Sequence, residues 1–204
     1  MPQQSNQILF CLALCILLGL VRYMTSDSLA TLSEEDKARW CQTWKLATSS
    51  LAVSKDESVL VQSVEVAKQT LSMPPALLEG VRYSLTGMNP MAKRADDDFN
   101  RRANLDLLKV LQTMHPPPVS IFPSFAADDD WKEEGFTVLF PVDGHDEKEL
   151  DDVMTATGRR FQQAAIYKYR RGSDSTGLLQ WVLPCSPDLV AVASETPVAV
   201  VSHS

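Results

Sequence analysis

VRYSLTGMNPMAKRADDDFNRRANLDLLKVLQTM, residues 81–114, holds two different periodicities on either side of one turn. Val81 to Met88 has the composition of a strand and runs into Asn89-Pro90, a turn signal. Asp96, Asp97 and Asp98 then stand where a helix N-terminus favours negative charge. Phe99, Ala103, Leu107, Val110, Leu111 and Met114 make one continuous helical face. His115 and Pro116-Pro117-Pro118 end it. The basic unit is therefore a strand followed by an amphipathic helix.

Working outward towards the C-terminus, the unit recurs. Val119 to Phe125 is a second strand, Asp128-Asp129-Asp130 a solvated turn, and Phe136 to Val142 a third strand. Asp146 with Glu149 resembles a capping box. It opens a second helix whose face is Leu150, Val153, Met154, Thr157 and Phe161. Ala165 to Tyr169 and Leu178 to Leu183 are two further strands, joined around Gly172-Ser173-Asp174. The first six elements follow the split β-α-β order of ferredoxin-like folds. This predicts an α+β domain over residues 76–185, an antiparallel sheet with both helices on one face. The tail, residues 186–204, is expected either to add an edge strand or to hang loose.

Towards the N-terminus, residues 31–75 read as a helical extension. Ser33 to Asp36 resembles a capping box, and Trp40, Trp44, Ala47 and Leu51 fall at i, i+4, i+7 and i+11. Leu60, Val64, Ala67 and Leu71 repeat that spacing, so two helices joined near Ser54-Lys55-Asp56 are expected. The Trp pair reads as a core-facing stripe rather than a ligand platform. Pro74-Pro75 marks the boundary with the α+β domain.

Residues 1–30 carry an export signal. Ile8 to Val21 has no charge, and as a helix of roughly 1.5 Å per residue it falls short of a bilayer core of roughly 30 Å. Arg22 can snorkel and extend it into a signal anchor. Ser28-Leu29-Ala30 offers a cleavage site for a signal peptide. Both readings stay open, and both place the chain at a membrane, through residues 8–21 if uncleaved, or in the secretory pathway.

Composition narrows the function classes. The chain has 204 residues, 45% hydrophobic and 22% charged, which excludes a wholly disordered or collagen-like protein. A net charge of -7 argues against nucleic-acid binding by bulk charge. The charge is uneven: residues 96–152 hold eleven Asp and four Glu against five Lys or Arg, whereas residues 153–185 sum to +4. The basic group Arg159, Arg160, Lys168, Arg170 and Arg171 reads as compensation for the acidic half before it reads as an anion site. Cys11 and Cys15 lie in the apolar run, leaving Cys41 and Cys185, whose pairing the sequence leaves open. Phosphate-loop, dinucleotide, zinc-protease, C-x-x-C and G-x-S-x-G signatures are absent, so no cofactor is implied. Asp128–Asp130 lacks EF-hand spacing, and no metal set is expected. His115, His145 and His203 read as surface residues.

Four polar segments remain: Thr86-Gly87-Met88-Asn89-Pro90, Asn100 with Asn104 one helical turn on, Glu133 in W-K-E-E-G-F, and G-R-R-F-Q-Q-A-A-I-Y from Gly158 to Tyr167. In this order and spacing they resemble the bacterial-type family catalogued as domain of unknown function 3293, over roughly residues 80–170. That family's pattern, T-A-Y-N-P, N-x-x-x-N-x-x-L-x-x-x-L, E-P-S-F and G-R-x-F-G-Q-x-A-I, meets Thr86, Asn89, Pro90, Asn100, Asn104, Leu107, Leu111, Glu133, Phe136, Gly158, Arg159, Phe161, Gln163, Ala165 and Ile166. Gly87-Met88 replaces Ala-Tyr, Glu134-Gly135 replaces Pro-Ser, and Gln162 stands where the family has Gly. The resemblance implies no activity.

The candidate ligand-binding residues are thus Asn89, Asn100, Asn104, Glu133, Arg159 and Gln163, with Glu133 the weak catalytic candidate. If the first and third strands of the unit run parallel, Asn89 and Asn100 lie at one end of the sheet. Glu133, Arg159 and Gln163 then lie at the other, with Glu133 and Arg159 as an ion pair. The expected function is a membrane-tethered or secreted binding module, for which a small polar or anionic ligand is one candidate partner. The alternative is a small enzyme with Glu133 as acid or base and Arg159 and Gln163 holding an anionic or polar substrate.

Overall fold

Strand pairing closes the sheet into a ring. The computed structural model describes residues 33–128, 131–141, 143–173, 177–186, 189 and 193–202. Residues 1–30, expected as a signal anchor or signal peptide, lie outside them. Helix α1 (Glu34–Leu46) leads into β1 (Thr48–Ala52), β2 (Ser58–Ser63) and the short β3 (Thr70–Leu71). A 3-10 turn (Pro75–Leu78) precedes β4 (Val81–Leu85), and a second one (Pro90–Ala92) precedes α2 (Asp97–Thr113). Then come β5 (Ser120–Ala127), β6 (Lys132–Phe140), α3 (Glu147–Arg160), β7 (Ala165–Arg171), β8 (Leu178–Pro184) and β9 (Ser194–Val201). The hydrogen-bonded order β2-β1-β5-β6-β4-β7-β8-β9 is joined end to end by a β2–β9 pairing, and β3 adds to β9. Every pairing is antiparallel.

This overturns the ferredoxin-like expectation. The protein is a closed antiparallel barrel of eight strands, not an open split β-α-β sheet with a helical extension. Two segments account for the difference. Residues 48–71, expected as helix, supply β1, β2 and β3. The tail supplies β9, which pairs with both β8 and β2 and so closes the ring. The apolar residues of 48–71 satisfy a helical spacing on paper, but the segment is rich in Val, Ser and Thr, which lose rotamer freedom or compete for backbone bonds in a helix. In β2 the alternation wins: Val61 and Ser63 are buried, and Val53 N–H and Ser54 N–H both donate to the Glu57 carbonyl in the hairpin turn, at 2.8 and 3.1 Å. Closure also gives the edge strands of an open sheet their missing partners.

Two apolar layers follow from strand alternation. Val81, Tyr83 and Leu85 of β4 and Val138 and Phe140 of β6 face outward, against Leu107 and Leu111 of α2 and Leu150 and Met154 of α3. Leu51, Val61, Tyr169, Leu178, Val198 and Val200 fill the barrel interior together with Leu77 of the first 3-10 turn. A charged cluster straps α3 to the outer face. Lys168, nearly buried, meets Glu147 at 2.5 Å and Asp151 at 2.9 Å, Arg170 pairs with Glu147, and Tyr83 Oη donates to Asp151 at 2.7 Å. Two members of the basic group are therefore neutralised by the acidic half. Cys41 and Cys185 are free thiols, not a disulfide. Cys185 is buried, and burial pushes its thiol up to about 12. Residues 37–204 form one compact unit. No helix among the described residues is long and apolar enough to cross a membrane.

Candidate functional site

One end of the barrel is plugged. Arg82 alternates inward from β4 and is 3% exposed. Its guanidinium donates to the carbonyls of Leu77 at 3.1 Å, Glu79 at 2.6 Å and Ala76 at 2.5 Å. Leu77 fills the space beside it.

The other end opens into a cavity of about 340 Å³. Its wall is made where β1 and β6 begin, where β4, β5 and β8 end and where β7 begins, with the C-terminal half of α1 alongside. An eight-stranded barrel has room for one small ligand. The last carbonyls of a helix need partners, and here the barrel interior supplies them: Tyr167 Oη and Gln180 Nε2 donate to the Trp44 carbonyl at 3.1 and 3.3 Å. This seats Trp40 and Trp44, with ring centroids 5.4 Å apart, on the cavity wall. Trp131 and Tyr167 complete an aromatic lining.

The polar residues gather on one side of this mouth. Antiparallel pairing sets Leu85 of β4 opposite Phe136 of β6, so the end of β4 meets the start of β6. The expected parallel arrangement is thereby corrected, and with it the division into two distant clusters. Asn89 adopts φ of +49°, a left-handed conformation that Asn tolerates better than most residues. Its Oδ1 accepts from Ala95 N–H and from Asn100 Nδ2, each at 3.0 Å. Its amide group is left to donate to Glu133, which also takes a bond from Trp131. Asn100 is buried and returns a bond, its Oδ1 accepting from Asn89 N–H at 2.9 Å. Asn104 bridges strands through α2: its Oδ1 accepts from Gly87 N–H at 2.8 Å and its Nδ2 donates to the Glu134 carbonyl at 2.9 Å. Gln163 Nε2 donates to the Met88 carbonyl at 2.9 Å. Gly87 is needed here, because a Cβ would lie 2.7 Å from the Ala103 carbonyl.

Of the six candidates, Glu133 and Gln163 line the cavity. Asn89 stands directly behind Glu133, and Asn100 and Asn104 brace the loop that carries Asn89. Arg159 is not brought to them. Its Nε donates at 2.7 Å to the Cys185 carbonyl, and the expected ion pair with Glu133 is absent. Glu133 is half-buried, and burial raises its carboxyl above the ordinary value, while the bonds from Trp131 and Asn89 pull it back. A carboxylate offers about four acceptor sites. Two donors occupy part of that capacity, and the remainder faces the cavity.

The aromatic lining was missed as a site. Trp131 lies two residues from Glu133 in W-K-E-E-G-F, the spacing that puts two side chains on one face of a strand, and that signal was present in the sequence. The Trp40–Trp44 pair was visible as a stripe, but only the barrel shows what the stripe faces. Among the described residues no group of His, Cys, Asp and Glu is arranged to hold a metal.

Residues 85–166 match the family described as a protein of unknown function, DUF3293. The matched segment runs from the last residue of β4 to the second residue of β7. It supplies Thr86, Phe125, Trp131, Glu133 and Gln163 to the cavity, whereas Trp40, Trp44, Ser49 and Val182 come from outside it. No curated protein and no solved structure matches the chain.

Proposed function

We propose that the protein is a small-molecule binding module whose ligand enters the open end of the barrel. The observation that carries this reading is the pairing of a concave aromatic cavity with one inward carboxyl, Glu133, that keeps unused acceptor capacity. Pockets of this size, mostly apolar with a few convergent polar groups, are the usual form of ligand sites. Ser49 lies on the cavity wall, its hydroxyl buried beside that of Tyr169. The apolar run at residues 8–21 supports a location in the secretory pathway or at a membrane, and alkaline extraction separates an anchored chain from a cleaved one.

Three of the four Trp residues line the cavity, so ligand entry is readable in intrinsic fluorescence. The full chain is titrated with a neutral apolar dye, and compared with Ala126→Phe, which fills the mouth beside Glu133. Saturable binding that the variant loses, with circular dichroism unchanged, is the expected result. Equal binding by both proteins overturns the reading, as does a wild type that binds neither this dye nor any of the charged and neutral probes used below.

A second reading, acid-base catalysis by Glu133, has the raised carboxyl in its favour. Against it, Arg159 is turned away and no His among the described residues lines the cavity. Conversion of a molecule co-purifying with the chain, followed by mass spectrometry and lost in Glu133→Gln, would establish catalysis; an unconverted molecule retained by both would not.

A further inference from the structure

The chemistry of the cavity wall bears on the charge of what enters, and this step rests on the binding reading above. Four aromatic residues, Trp40, Trp44, Trp131 and Tyr167, share the wall with Glu133. Among the described residues, the other charged ones of the wall are Arg39 and Asp128, opposite in sign and both exposed at the rim. The inner charge of the site is therefore a carboxylate. One of the rings already holds a side-chain cation: the Arg94 guanidinium lies 5.3 Å from the Trp131 centroid. Aromatic faces attract cations, most strongly where water is excluded. An anion placed beside Glu133 would meet repulsion in a desolvated setting, and a neutral ligand would leave the carboxylate's remaining lone pairs without a charge-assisted donor.

We propose that the barrel mouth selects an organic ammonium ion, a cationic nitrogen on an apolar body. The nitrogen sits against Glu133 and the body lies among the Trp rings, contacting the small side chains Ser49, Ala126 and Ala164 at the inner wall. Glu133 acts here in its ionised form. Around it stand Asp128 after β5, Arg39 from α1, Tyr167 from β7 and, behind Trp131, Arg94. Binding of the cation favours the ionised carboxyl, so complex formation releases the proton that burial tends to retain.

The test uses three probes of equal length on the full chain: n-hexylammonium, 1-hexanol and hexanoate, read by Trp fluorescence and by the shift in Tm. Hexylammonium is expected to bind at least about tenfold more tightly than hexanol, the scale of one desolvated charge contact, and hexanoate not at all. Glu133→Gln is expected to remove that preference while still unfolding in one cooperative transition, and wild-type affinity is expected to fall as the medium is acidified and the carboxyl is protonated. If hexanol binds as tightly as the amine, or if the Gln variant keeps the amine preference, the cation assignment fails and the binding module stands. If none of the probes binds and the neutral dye also fails, both readings fall. Absence of amine binding alongside successful dye binding overturns the cation assignment alone.

Discussion

The two ends of the barrel each hold a charged side chain aimed inward, and they treat it in opposite ways. At the plugged end, Arg82 spends its Nη donors on the carbonyls of Ala76, Leu77 and Glu79, and only its Nε finds no hydrogen-bond partner among the described residues. Burial lowers its pKa, but a guanidinium stays charged throughout the range where proteins fold. At the open end, Glu133 is gripped by Asn89 and Trp131 and still faces a cavity. A buried charge whose partners are all backbone of its own chain is a structural fastening. A buried charge held at one side only is poised for something that arrives. The difference lies in what stands opposite each group, and is independent of how deeply either is buried.

The comparison breaks first at Arg82. Replacing it with Met keeps much of the volume and removes the donors from three carbonyls in a closed space. Loss of about 3–5 kcal/mol in chemical denaturation is expected, the scale for removing one partner from a buried charged contact. A loss below about 1 kcal/mol would mean that water satisfies those carbonyls and that the end is not plugged. The open end responds less. Asn89→Ala removes the acceptor for Ala95 N–H and Asn100 and one donor to Glu133. It also places Ala at a φ of +49°, which Asn tolerates and Ala does not. About 2–3 kcal/mol is expected. With one of the bonds that restrain it gone, the Glu133 carboxyl should titrate higher still, which carboxyl-resolved NMR can follow.

Glu133 itself sharpens the comparison through pH. Its folded carboxyl sits above the ordinary value. The stability this confers is present when the group is protonated, below the unfolded value, and is lost as pH rises through the folded one. Glu133→Gln should abolish this dependence. Its Tm relative to wild type should rise as pH passes from the ordinary carboxyl range to neutrality, by less than the Asn89 effect. A wild type that instead gains stability relative to the variant over that interval would show that the bonds from Trp131 and Asn89 outweigh burial.

How much of this was legible in the sequence depends on the kind of signal. The order of strand and helix from Val81 to Tyr169 came from local periodicity, and α2 and α3 formed where their apolar faces lay. Barrel closure depends on β2 meeting β9, residues 58–63 against 194–201, and no local pattern encodes a contact across such a separation. The stripe Leu60, Val64, Ala67 and Leu71 has a helical spacing, yet Val59 and Val61 carry the alternation that the barrel uses. Glu133 and Gln163 were visible as polar residues that a core could not explain. Arg159 looked equally unexplained, because sequence does not reveal that the Cys185 carbonyl is the acceptor it serves.

The smallest effect lies at the rim, where Gln162 has φ of +55°. Its carbonyl accepts from Met91 N–H at 2.8 Å, and its N–H donates to the Arg159 carbonyl at 2.9 Å. Both are backbone bonds that survive substitution. A left-handed conformation costs a residue with a Cβ about 1–2 kcal/mol, and glycine is relieved of this. Glycine also gives the unfolded chain more freedom, worth about 0.4–1 kcal/mol against the fold. Gln162→Gly should therefore gain about 0.5 kcal/mol, and this is where the resembling family carries Gly. Met91, at φ of +53°, makes the control. It is buried, so glycine there discards apolar contact worth about 1.5–3 kcal/mol along with the strain. A gain at residue 162 with a loss at residue 91, both by denaturant titration, would separate backbone strain from packing on the same rim. A loss at both would mean that the Gln162 side chain carries a role beyond tolerating its own turn.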